Sequence, residues 1–121
     1  MIKLVYCIRK SSDVSADEFY KYWLEKHGPL VKKLTKDIRA VKYVQSHTIA
    51  PEMNAMFRET REYEAPYDGI TEVWWNSLED MQAGYATKAG AAAGQALAED
   101  EAKFIDFKQS AVFMTEEHDI F

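Results

Sequence analysis

Chemistry in this sequence centres on His27, one of three histidines and the one set among apolar residues. It falls four residues after Trp23 and eight after Phe19, on the helical face shared by Leu30 and Leu34, so its ring points inward rather than into bulk water. Gly28 and Pro29 follow it directly. A helix that stops or kinks there would aim the imidazole at a cavity, because Pro29 suits the first turn of a new segment and has no amide to donate. An imidazole titrating near neutrality both gives and takes protons, which suits enolisation, dehydration, lactone rearrangement or aldol-type cyclisation. The same placement also suits a hydrogen-bonded core histidine that closes a kink.

Further candidates surround it. His47 alternates with Tyr43 and Gln45 along one strand face, a polar and aromatic patch that reads either as a second pocket group or as a strand end near water. Glu72 stands among apolar neighbours; it could orient a histidine, or simply face solvent and pair with a lysine or arginine. Tyr22, Trp23, Trp74, Trp75 and Tyr85 offer ring faces for an aromatic or polyketide-like ligand, with core packing as the alternative use. His27 is therefore the candidate catalytic residue, and Trp23, Tyr43, His47, Glu72, Trp74 and Tyr85 are the candidate substrate-binding ones. Cys7 has no activating base nearby in sequence and reads as a small buried hydrophobe. Glu116, Glu117, His118 and Asp119 imitate a metal cluster, but adjacent residues of an extended chain point apart. No metal site is expected, and no cofactor: GxGxxG, P-loop, GxSxG, HExxH and CxxC patterns are all missing.

The elements that must carry these residues follow from periodicity. Ile2 to Arg9 alternates as a strand that is apolar on both faces. Ser15 followed by Glu18 fits a capping box, with Val14 and Phe19 as its hydrophobic staple, and opens a helix that ends near Thr35. Ala40 to Ile49 and Asp68 to Trp75 read as strands, joined through Pro51 to Tyr67 by an irregular connection with one helical turn near residues 53–60. Asn76-Ser77 caps two further helical segments, with Gly90 and Gly94 as points of loosening, and Phe107 to Thr115 reads as the fourth strand.

The resulting order is βαββαβ: an α+β, ferredoxin-like arrangement with a four-stranded antiparallel sheet and two helices on one face, in a single domain over residues 1–121. Such a sheet leaves its second face bare, so pairing with a second copy into a dimeric α+β barrel is expected. A net charge of −5, with no basic run longer than two residues, argues against nucleic acid and against a membrane surface. One cysteine and the lack of a long apolar run lead to the expectation of a cytoplasmic protein.

The pattern FxxYWxxxHGPL from Phe19 to Leu30 resembles the EthD-domain family, and DGITEVWWNSLEDM from Asp68 and AEDEAKFID from Ala98 extend the resemblance. That family lies in the dimeric α+β barrel superfamily. The resemblance implies a homodimer with a pocket between each sheet and its helices, and no settled reaction. Superfamily relatives include polyketide cyclases, lactone isomerases, dehydratase-like proteins and haem-degrading monooxygenases, and EthD itself accompanies ether degradation. The long Ala50 to Tyr67 connection departs from the compact members. The function expected is cofactor-free acid/base chemistry on a small hydrophobic oxygenated compound, in catabolic or secondary metabolism. A non-catalytic carrier or accessory protein to an oxygenase is the alternative, and a haem-dependent monooxygenase the third.

Overall fold

A computed structural model describes residues 1–121. The strands are β1 (Ile2–Ile8), β2 (Lys42–His47), β3 (Gly69–Trp75) and β4 (Ala111–Glu116). They form one antiparallel sheet in the order β2-β3-β1-β4, so the two central strands are not sequence neighbours. This is the ferredoxin-like order. Alternation along the strands sends Tyr6 and Ile8 of β1, Thr71, Val73 and Trp75 of β3 and Tyr43 of β2 toward the helices.

The first helical stretch starts as expected, with the Ser15 hydroxyl accepting from the Glu18 amide and the Glu18 carboxylate accepting from the Ser15 amide. It does not stop at His27. Helix α1 (Ala16–Tyr22) runs through one π-helical turn, Trp23–His27, into α2 (Gly28–Leu34). The Gly28 amide donates to the Trp23 carbonyl, five residues back, so the ladder has already shifted where Pro29 removes a donor. The wide turn also holds one face together. On an α-helix, residues four apart drift by about 40° per step, and a turn containing an extra residue takes up that drift. Phe19, Trp23, His27 and Val31 are consequently all buried.

The connection after β2 contains α3 (Pro51–Arg61), eleven residues long where a single turn was expected. None of its residues is buried, and its two caps, Ala50 and Glu62, are left-handed. Helices α4 (Leu78–Ala86) and α5 (Lys88–Glu101) follow β3. Their junction is Thr87, in extended conformation, rather than Gly90 or Gly94. Gly90 does the opposite of loosening: a Cβ there would collide with the Gly84 carbonyl, so it permits α4 and α5 to approach closely. The last strand begins later than expected, because the Asp106 carboxylate caps a short 3-10 turn over Phe107–Gln109.

The core lies between sheet and helices in two clusters. One gathers Val31, Ile38, Val73, Trp75, Ala93 and Leu97; the other Ile8, Phe19, Trp23, Phe104 and Ile105. No helix is long and apolar enough to cross a membrane. The opposite sheet face carries Val5 between Glu72 and Phe113 in one row and Lys3 between Trp74 and Thr115 in the next. Ile70 and Phe113 on that face are exposed.

Candidate functional site

A cavity of about 220 Å³ occupies the seam where the two core clusters meet. Its walls are mostly apolar, and its polar groups are His27, Glu101, Thr71 and the phenols of Tyr6, Tyr43 and Tyr85. No lysine or arginine lines it.

The π turn delivers His27 into this seam with only 4% of its surface exposed. Its Nδ1 stands 2.8 Å from Asp100 Oδ2 on α5. Asp100 is itself buried and also accepts from the Tyr22 hydroxyl. Burial alone would raise its pKa, but the hydrogen bonds from Tyr22 and His27 outweigh burial and hold the carboxyl below the usual range. An ionised Asp100 accepts only, so Nδ1 carries the proton and Nε2 keeps its lone pair. Burial pushes the imidazole pKa down, with Asp100 partly opposing it, so the ring is neutral at pH 7.

Nε2 looks toward Glu101, whose Oε2 is 3.9 Å away. Burial pushes this carboxyl up to about 7, the Asp100 charge adds to the shift, and the Tyr6 hydroxyl opposes it. Tyr6, Tyr43 and Tyr85 are all raised by burial and stay neutral phenols. The arrangement therefore places a neutral base and an acid that titrates near neutrality on one apolar cavity.

Among the expected binding residues, Trp23, Tyr43 and Tyr85 line the cavity. His47 does not. Its ring stacks on Trp23 at 4.4 Å and 7°, and its Nε2 donates to Gln45 Oε1 at 2.8 Å. Gln45 Nε2 in turn donates to the Trp23 carbonyl and to the Tyr43 hydroxyl. The Tyr43-Gln45-His47 face thus acts as a polar brace on the π turn, and only Tyr43 reaches the cavity. Gly69, paired with His47 across the sheet, lets the edge of the indole come close, since a Cβ there would be 2.5 Å from the Trp23 ring.

Glu72 and Trp74 occupy the opposite sheet face, away from the cavity. Glu72 pairs with Lys3 at 2.8 Å, while the Trp74 ring lies under Lys3 and Lys42 and donates through Nε1 to Glu117. Asp100, Glu101, Tyr6 and Thr71 were not singled out from the sequence. The signal for the acidic pair was present: Ala93, Leu97, Asp100 or Glu101, and Phe104 keep three- and four-residue steps on α5 and its extension. No group of three or more histidine, cysteine, aspartate or glutamate side chains is placed to hold a metal ion.

Element order, sheet order and a mostly apolar cavity between sheet and helices define a ferredoxin-like α+β protein. The EthD domain profile matches residues 11–108, and the chain belongs to the EthD family. It is similar in structure to an EthD family protein from Bacillus halodurans, with 19% identity, 98% of this chain and 99% of that one covered, and a TM-score of 0.66. A dimeric ferredoxin-like protein of unknown function from Bacteroides fragilis aligns at 14% identity over 96% and 95% of the two chains, with a TM-score of 0.60. SnoaB, a cofactor-independent oxygenase from Streptomyces nogalater, aligns at 8% identity over 98% and 93%, with a TM-score of 0.56. No curated protein matches the chain.

Proposed function

We propose that the protein performs cofactor-free acid/base chemistry on a small hydrophobic oxygenated compound, with His27 as the general base. One observation carries this reading: the His27 Nδ1 proton is committed to a buried aspartate, while Nε2 opens onto a mostly apolar cavity. That is how a neutral imidazole is held in one tautomer and made ready to accept a proton. The volume falls below the roughly 300–1,000 Å³ of sites for drug-sized ligands, which favours a compact molecule. Tyr43 and Tyr85 supply hydroxyls for its oxygen atoms, and Trp23 supplies an apolar wall.

The protein acts as a homodimer in this reading, with the bare sheet faces packed together. The exposed Ile70 and Phe113 beside Val5 support it, as does the dimeric state named for the ferredoxin-like protein from Bacteroides fragilis. The test is a screen of oxygenated aromatic and polyketide-like compounds by native mass spectrometry, followed by incubation of each binder and product analysis. Turnover by the wild type, lost in His27→Gln, supports the assignment. Tight binding without turnover of any binder makes the protein a carrier instead.

A further inference from the structure

We propose that Glu101 is the proton donor working opposite His27, and that the pair takes a neutral, enolisable ketone as its substrate. The proposal rests on the acid/base reading above and adds its second group and its substrate class. Both side chains line one cavity, from the π turn and from the end of α5. The separation of 3.9 Å between Nε2 and Oε2 is too long for a direct hydrogen bond. It is short enough for a single substrate group to touch both. In a ketone, the carbon that loses a proton and the oxygen that gains one are separated by one carbon atom, so a base and an acid this close can reach both.

The balance closes without another reactant. The α-carbon proton passes to His27 Nε2, and its bonding pair becomes the carbon–carbon double bond. The carbonyl π pair takes the Glu101 proton and becomes the enol hydroxyl. Imidazolium and carboxylate are left facing each other: either the imidazolium returns its proton to Glu101 and the enol leaves, or it protonates the α-carbon again while the enol hydroxyl gives its proton back to Glu101. No oxidant, metal or cofactor enters the step.

Charge decides the substrate class. The groups facing Glu101 are Tyr6 from β1, His27 from the π turn, Asp100 from its own helix, and Tyr43 and Tyr85 farther off. The charged one is Asp100, an anion behind His27 whose pairing with the largely exposed Lys103 is screened by solvent, and no lysine or arginine lines the cavity. A carboxylate or phosphate would enter against that charge with no cation to receive it. A neutral carbonyl meets phenol and carboxylic acid donors. The carboxyl, pushed up to about 7, still holds its proton just below that pH, where His27, held under its ordinary value, is already neutral.

The test follows hydrogen–deuterium exchange at the α-carbons of 2-tetralone in D₂O by NMR, with wild type, Glu101→Gln and His27→Gln. Wild type should accelerate exchange, and the rate should fall as pH rises through about 7, where Glu101 loses its proton. Glu101→Gln should lose roughly 10²- to 10⁴-fold in rate, together with that fall, while binding tetralone and melting like wild type. In the wild type, the ¹³C signal of the Glu101 carboxyl should titrate near neutrality, which is independent of any variant's folding. Wild-type rate and pH profile in Glu101→Gln, with His27→Gln inactive, overturns the Glu101 assignment and leaves His27 as base. No acceleration by wild type overturns the ketone assignment, and full activity in both variants overturns the pair.

Discussion

Replacing Asp100 with asparagine probes the anchor that sets the state of His27. The carboxylate receives two hydrogen bonds, a buried one from His27 Nδ1 and a part-buried one from the Tyr22 hydroxyl. Bonds to a charged acceptor contribute about 1.5–3 kcal/mol each, and two bonds sharing one carboxylate do not simply add. Asparagine keeps one acceptor oxygen and turns an amide NH₂ toward the other donor, so one bond is lost. The expected destabilisation at pH 7 is about 1.5–3 kcal/mol, a large share of a typical domain's 5–15 kcal/mol or so. At a urea m-value of about 1–3 kcal/mol/M, that lowers the midpoint by on the order of 1 M. Lys103, 3.5 Å from Asp100 but largely exposed, adds little.

The effect has a pH signature. Asp100 is held below the usual carboxylate range, so its contribution is complete above the unfolded pKa of about 3.9 and is lost as pH falls through the folded value. The difference between wild type and Asp100→Asn should be full at pH 7 and should shrink in strongly acidic buffer. Urea unfolding at both pH values measures it. Equal midpoints at neutral pH, or a gap undiminished in acid, would refute the reasoning.

Two other outcomes are expected. Gly69→Ala should cost about 1–3 kcal/mol and lower the melting temperature, because the new Cβ would sit within 2.5 Å of the Trp23 ring and 2.7 Å of the Ser46 carbonyl; an unchanged melt would show that the indole yields freely. Light scattering should report twice the 14.0 kDa chain mass, and Phe113→Asp should halve it at micromolar concentration by placing a charge on the bare sheet face; a monomeric wild type would remove the dimer from the account.

Much of the frame was legible because period and capping agree. The Ser15 box, the Phe19-Trp23-His27 face and the alternation of Tyr43, Gln45 and His47 can all be read from spacing. The wide turn was not. HGP signals a break, and the shifted Gly28-to-Trp23 bond together with packing against Asp100, Gln45 and Gly69 keeps the helix continuous through it. The phase of β3 was also hidden. Trp74 and Trp75 are adjacent, and both faces carry apolar residues, so nothing local says that Thr71 and Trp75 turn inward while Glu72 and Trp74 turn out. Asp100 and Glu101 stand in an acidic run that looks like a solvated helix end. Their burial depends on Tyr6, Tyr22 and His27, which arrive from distant parts of the chain. Helix α3 buries nothing, and its apolar residues Met53, Met56 and Phe57 keep helical spacing over a single turn only, which is as much as the sequence shows of it.

The state of the His27 ring is the most direct test, and ¹⁵N NMR of histidine-labelled protein across pH reads it without any substrate. The account predicts a neutral ring at pH 7 with the proton on Nδ1, an unprotonated Nε2, and titration below the ordinary histidine value of about 6.5. A proton on Nε2, or an imidazolium at pH 7, would contradict it, because no base would then face the cavity.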